Sequence, residues 1–164
     1  MKQVVIVRHA KSVPYGYDDD FNRDLRDRGK NDAKIISTEL NKRNIRPDAM
    51  ISSPAKRAIK TARIFAESLH FNKNKISKVQ DIYEGLTTAD FLELIQGLPE
   101  EAETVFIFGH NPGFYYFVSN LLKNFKNDMP TCSSVGIDFN VDLWEQVEAR
   151  TGEMAFHLIP KMFK

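Results

Sequence analysis

Two short runs set the terms for this chain: VVIV at positions 4–7, and VFIF within TVFIF at 104–108. A strand with one face in water alternates polar and apolar residues. These runs do not alternate, so they read as strands buried on both faces, which requires helices above and below a largely parallel sheet. The chain supplies such helices. Strand-like Gln3–Val7 is followed by a polar stretch from Tyr15 to Arg28 that contains Asp18, Asp19 and Asp20. From Gly29 to Arg43, Ala33, Ile36 and Leu40 recur at helical spacing. Pro47–Ile51 reads as a second strand. Ser53-Pro54 then reads as an N-cap and first helical residue, opening a helix with Ala58, Ala62, Phe65 and Leu69 on one face.

A weak strand is expected within Ile76–Ile82. Thr87 with Asp90 resembles a capping pair for a helix through Gln96, which Gly97 would stop. After TVFIF, Asn111-Pro112 repeats the N-cap and N1-proline pattern, ahead of Phe114, Phe117, Val118, Leu121 and Leu122. Val135–Val141 and Glu153–Ile159 read as late strands. Strands alternate with helices for most of the length. The expected fold class is therefore α/β, a three-layer α/β/α arrangement around a mostly parallel central sheet, with residues 1–164 as one domain.

Composition narrows the function classes. Twenty-three basic and 22 acidic side chains give a net charge of +1, so no global field points to nucleic acid or to a membrane surface. Cys132 is the single cysteine, which excludes a disulfide framework or cysteine-rich metal site within one chain. The first residues are too short an apolar run for a signal peptide, and Arg8 interrupts them. No run reaches the ~18 apolar residues of a membrane span. The expected location is cytoplasmic. Affinity for anions must then come from local placement of basic groups.

In doubly wound folds, ligands collect beyond the carboxyl ends of the strands. The first strand ends in Arg8-His9, the second in ISSPAKR with Arg57, the fourth in FGHNPG with His110. Lys56 and Arg57 sit in the first turn of a helix, where the macrodipole favours acidic residues. Two cations there imply an anion beside them, held by Arg8, Arg57 and helix-terminal amides. A histidine beside two arginines and a phosphate-sized anion can attack phosphorus, and a second can stabilise the charge that develops. Nothing in this chemistry requires a cofactor or a metal. No acidic residue is placed beside a histidine at ligand spacing, and a solvated loop explains Asp18–Asp20 equally well. His70 and His157 lie away from candidate strand ends and read as structural. Lys56 reads equally as a solvated helix residue. Phe114, Tyr115, Tyr116 and Phe117 read as helix core plus pocket rim.

VRHAKS, SSPAKRAIKTA and GHNPG occur in that order, each at a strand end. Together they resemble the histidine phosphatase superfamily, the phosphoglycerate-mutase-like branch. The short length, LRDRG and IYEGL make the chain similar to its small SixA-type phosphohistidine phosphatases. The resemblance implies a phosphoglycerate-mutase-like fold. It implies His9 as a nucleophile forming phosphohistidine, with Arg8, Arg57 and His110 binding the phosphoryl oxygens. Glu84 in DIYEGL falls where the family's general acid stands, and a loop aspartate is the alternative. Asn111 would bound the pocket or act only as an N-cap. The implied partner is a phosphorylated histidine on a protein, or else a small phosphorylated metabolite or another phosphopeptide. A phosphate-binding interaction module with little turnover is the alternative from another class.

Overall fold

The computed structural model describes residues 1–14, 16 and 19–164. Asp18, from the acidic loop, lies outside the described residues.

Six strands form one sheet in the order β3-β2-β4-β1-β5-β6. They are β1 (Lys2–Arg8), β2 (Ala49–Ser52), β3 (Ser77–Lys78), β4 (Thr104–Gly109), β5 (Ser134–Phe139) and β6 (Glu153–Leu158). The first four run parallel, and β5 and β6 add an antiparallel edge beside β1. The two unalternating runs, β1 and β4, are adjacent at the centre, paired Val4 to Val105 through Arg8 to Gly109. Successive side chains point to opposite faces. Val5, Val7, Phe106 and Phe108 meet α1 (Asp27–Lys42) and α2 (Lys56–Ser68) through Ile36, Leu40 and Phe65. Val4, Ile6, Val105 and Ile107 face the other way, onto α4 (Thr88–Gln96) and α5 (Gly113–Leu121) through Phe91, Ile95, Phe114 and Phe117. Both faces are covered, as the apolar runs require.

Three local expectations need correction. Ser53-Pro54 does not open α2. The helix starts at Lys56 with Ala55 as its N-cap, and the Ser53 side chain accepts a hydrogen bond from the Ala55 amide instead. Asn111 does not cap α5, because Pro112 occupies that place. The stretch Ile76–Ile82 is a strand only at Ser77–Lys78; the short helix α3 (Gln80–Glu84) begins within it, with Ile82 buried against the core. Each misreading follows a real local preference that a tertiary hydrogen bond or contact overrides. The Thr87 cap is as expected, its hydroxyl accepting from the Asp90 amide at 3.0 Å.

Candidate active site

β2, β4 and β1 are neighbours, so their carboxyl ends lie side by side. That adjacency assembles the site. Arg8 is the last residue of β1 and His9 follows it. The His9 amide donates to the Gly109 carbonyl at 3.0 Å, and the Ser53 amide to the Phe108 carbonyl at 3.0 Å. The ladder therefore holds the three chain ends in register just beyond the sheet. Gly109 leaves room for the Phe114 ring of α5, which a Cβ there would overlap.

His9 is 8% exposed, and its Nδ1 lies 2.8 Å from the Ala10 carbonyl. A ring nitrogen facing a carbonyl must carry the proton. The other nitrogen, Nε2, therefore keeps its lone pair. Ala10 is fixed in turn by Thr61, whose hydroxyl accepts from the Ala10 amide at 3.0 Å and donates to the Arg57 carbonyl at 2.8 Å. One threonine on α2 thus links the segments carrying His9 and Arg57.

The His110 ring lies 5.3 Å from that of His9, centroid to centroid. Its Nε2 is 2.7 Å from the Ser53 hydroxyl. Because that hydroxyl accepts from the Ala55 amide, its own proton is available to His110 Nε2. With Ser53 as the donor, the proton of His110 sits on Nδ1, which is buried with no hydrogen-bond partner among the described residues. Tyr83 closes the other side, edge-on at 5.8 Å between ring centroids.

Arg57 is buried, and the acidic loop reaches it. Its Nη1 donates to the Asp20 carbonyl at 2.6 Å, and its Nη2 to Asp20 Oδ2 at 3.2 Å. Asp20 also accepts from Arg23 at 2.8 Å and from the Tyr83 hydroxyl at 2.9 Å. Lys56 and Lys60 pair with Asp24, at 3.5 and 2.8 Å. The cations at the start of α2 are therefore offset by Asp20 and Asp24 as well as by any ligand. Arg8 approaches from the α5 side and donates to the Met129 carbonyl at 2.9 Å, as does Asn111 through Nδ2, also at 2.9 Å. Arg8 Nε, Arg57 Nε and Asn111 Oδ1 are buried without a partner among the described residues.

Burial dominates the protonation states. It lowers His9 from an ordinary 6.5 to about 3, against the raising effect of the Ala10 carbonyl and with help from His110, Arg57 and Arg8. Burial and the positive charge of Arg57 likewise bring His110 to about 4. Both imidazoles are neutral at pH 7, the state in which His9 can be a nucleophile. Burial would raise Asp20, but its hydrogen bonds from Arg23 and Tyr83 and the charge of Arg57 hold it at about 2. Asp20 is a fixed anion, not a proton donor, near neutrality.

The structure thus brings Arg8, His9, Arg57, His110 and Asn111 together. Glu84 stands at the exposed end of α3, with Gln80 Nε2 3.5 Å from its carboxylate. Its neighbour Tyr83 makes the contacts to the site. The sequence reading has Ser53 only as a helix cap and does not single out Thr61 or Tyr83. Ser53 and Thr61 had a signal, being the hydroxyl residues four before and four after Arg57. Tyr83 had none. Among the described residues, no group of three or more His, Cys, Asp or Glu could hold a metal ion, and no helix is long and apolar enough to cross a membrane.

Comparison with known proteins identifies a family and a shared fold. Residues 4–112 match the family model of the histidine phosphatase superfamily (branch 1). Phosphoserine phosphatase 1 of Hydrogenobacter thermophilus is 32% identical over 105 residues, which cover 62% of this chain and 49% of that protein. The mitochondrial serine/threonine-protein phosphatase Pgam5 of Drosophila mojavensis is 30% identical over 84 residues, 51% of this chain and 29% of that one. The matches thus span half or less of these curated relatives. Among solved structures, the protein histidine phosphatase SixA complexed with tungstate superposes over 99% of both chains, with a TM-score of 0.86 and 18% identity. A SixA protein from Agrobacterium tumefaciens covers 97% of this chain and 98% of its own, with a TM-score of 0.81 and 23% identity. At such identities the likeness is one of fold, and it covers the whole sheet and both helical layers.

Proposed function

The chain belongs to the histidine phosphatase superfamily (branch 1), and from that premise we propose that it is a phosphatase working through a phosphohistidine on His9, with phosphorylated histidine on a protein as its substrate. The observation that carries this reading is the tautomer of His9. With Nδ1 committed to the Ala10 carbonyl, the lone pair of Nε2 is free beside two arginines and a second histidine.

Nε2 attacks phosphorus, the bond from phosphorus to the substrate nitrogen breaks, and that electron pair leaves with the substrate imidazole. Water then attacks the phosphoryl group, the N–P bond breaks, and inorganic phosphate leaves with His9 restored. Arg8 and Arg57 offset the charge on the equatorial oxygens, and His110 donates to one of them through Nδ1–H. Thr61 and the Gly109 carbonyl position His9, and Asn111 bounds the pocket beside Arg8. Aspartate 20 holds Arg57 until an anion competes for it.

Imidazole, with a pKa of about 6.5, is protonated readily as it leaves, whereas an alkoxide needs a strong acid. Asp20 at about 2 is unsuited to that task near neutrality, so for a phosphoester the acid falls to Glu84. A histidine substrate suits a site whose candidate acid stands at the solvent edge. The names of the curated relatives favour a second reading, hydrolysis of a phosphorylated serine or a small phosphomonoester. A binding module with little turnover would have no use for a nucleophilic His9.

Acid- and base-quench trapping tests the proposal. During turnover of phosphohistidine in chelator, a phosphoryl label that is acid-labile and base-stable should appear on the protein and vanish in His9→Ala. Turnover without any such label would refute the covalent route, and hydrolysis of sugar phosphates alone would refute the substrate.

A further inference from the structure

Beside Arg8, away from His9, a cleft of about 970 Å³ opens between α5 and the turn at Pro160–Phe163. Arg8 and Asn111 belong to both the phosphate site and this cleft. Its other walls include Tyr115, Tyr116, Met129 and Met162. A phosphoryl group would fill a small part of such a volume, which lies at the upper end of the roughly 300–1,000 Å³ typical of ligand pockets. We propose that the cleft seats an apolar side chain of the polypeptide that carries the phosphoryl group, next to the phosphorylated residue. This inference rests on the phosphatase reading above and extends it to substrate choice.

Three observations support it. The first is continuity. The Met129 carbonyl accepts from both Arg8 and Asn111, so it forms the common border of the two sites. A group in the cleft would lie within reach of one held at Arg8. The second is the distribution of exposed apolar residues. Tyr116 and Met162 are each 57% exposed, among only five large hydrophobics exposed among the described residues. They stand on separate elements that form walls of this one cleft. Tyrosine and methionine are enriched at protein interfaces, where their apolar bodies gain most from leaving water. The third is rigidity. Lys164, just past the Pro160–Phe163 turn, pairs at 2.7 Å with Asp32, a carboxylate 1% exposed on α1. The outer wall is thus anchored before any ligand arrives, which lowers the ordering cost of binding. Apart from Arg8, which the phosphoryl group would occupy, the lining carries one cation, Lys161, and one anion, Asp128, so apolar contact is left to discriminate.

The test uses short peptides with a central histidine phosphorylated by phosphoramidate, flanked either by leucines or by serines, with free phosphohistidine as the reference. The full chain should hydrolyse the leucine-flanked peptide with kcat/KM about tenfold above the serine-flanked one, mainly through KM. In the double variant Tyr116→Ser/Met162→Ser that ratio should fall to about one, with free phosphohistidine hydrolysed as before. Hydrolysis of all three substrates with no leucine preference, or a preference that survives the double variant, overturns the cleft assignment alone. No hydrolysis of any of them overturns the phosphatase reading and this inference together.

Discussion

The serine that orients His110 offers the sharpest test of the site. Ser53 is fully buried, with its hydroxyl 2.7 Å from His110 Nε2 and accepting from the Ala55 amide, which leaves its own proton for the imidazole. Ser53→Ala removes the hydroxyl and leaves both partners unmet. A buried neutral hydrogen bond contributes about 1 kcal/mol net, and each group left unsatisfied raises the cost, so a loss of about 1–3 kcal/mol is expected. For a domain of this size that lowers the melting midpoint by roughly 2–12 °C. The catalytic effect is separate. Without the serine nothing selects the Nδ1–H tautomer, and an even mixture costs about twofold. Loss of aim adds to this, bounded by the roughly 100- to 1,000-fold cost of deleting a transition-state donor. The expected fall in kcat is about tenfold, or about 1.4 kcal/mol of transition-state stabilisation. Steady-state kinetics on free phosphohistidine would measure it, and nitrogen-15 spectra of His110 would report the tautomer. If kcat holds while the melting midpoint falls, Ser53 serves the fold alone. A wild-type spectrum with the proton on Nε2 would refute the reasoning outright.

The depressed histidines give the protein an acid sensitivity. The folded state leaves His9 and His110 neutral down to about 3 and about 4, whereas the unfolded chain protonates them near 6.5. The unfolded state therefore binds more protons below about pH 6.5, and stability falls with pH from there toward the folded values, by roughly 1 kcal/mol per histidine per pH unit. Urea midpoints should drop between about pH 7 and about pH 5, and less so in His9→Asn; a flat profile would contradict the burial argument. Glu84→Gln should slow phosphoester hydrolysis about 10- to 100-fold while changing phosphohistidine hydrolysis less than about threefold. Equal losses on both substrates would remove Glu84 from the leaving-group step.

Much of this architecture is local information. VVIV and VFIF have no polar face to turn to water, so they had to be central strands, and central strands bring their ends together. Arg8, His9 and His110 could be picked out because they stand at the ends of these two strands, and Arg57 because it is a cation in the first turn of the helix after β2. The same locality explains the misreadings. Serine followed by proline is a good helix start, yet Ser53 is drawn to His110, 57 residues away in sequence. Asn111 has the same signature but bonds to the Met129 carbonyl.

What the amino-acid order determined by itself is the set of reactive groups and the sheet that gathers them, since hydrophobic periodicity acts over a few residues. Only the tertiary structure decided that Asp20 reaches Arg57, that Tyr83 stands beside His110, and that α5 and the Pro160–Phe163 turn leave a cleft next to Arg8. Those contacts join segments tens of residues apart. Their partners are chosen by how whole elements pack, and no neighbouring residue carries a record of that choice.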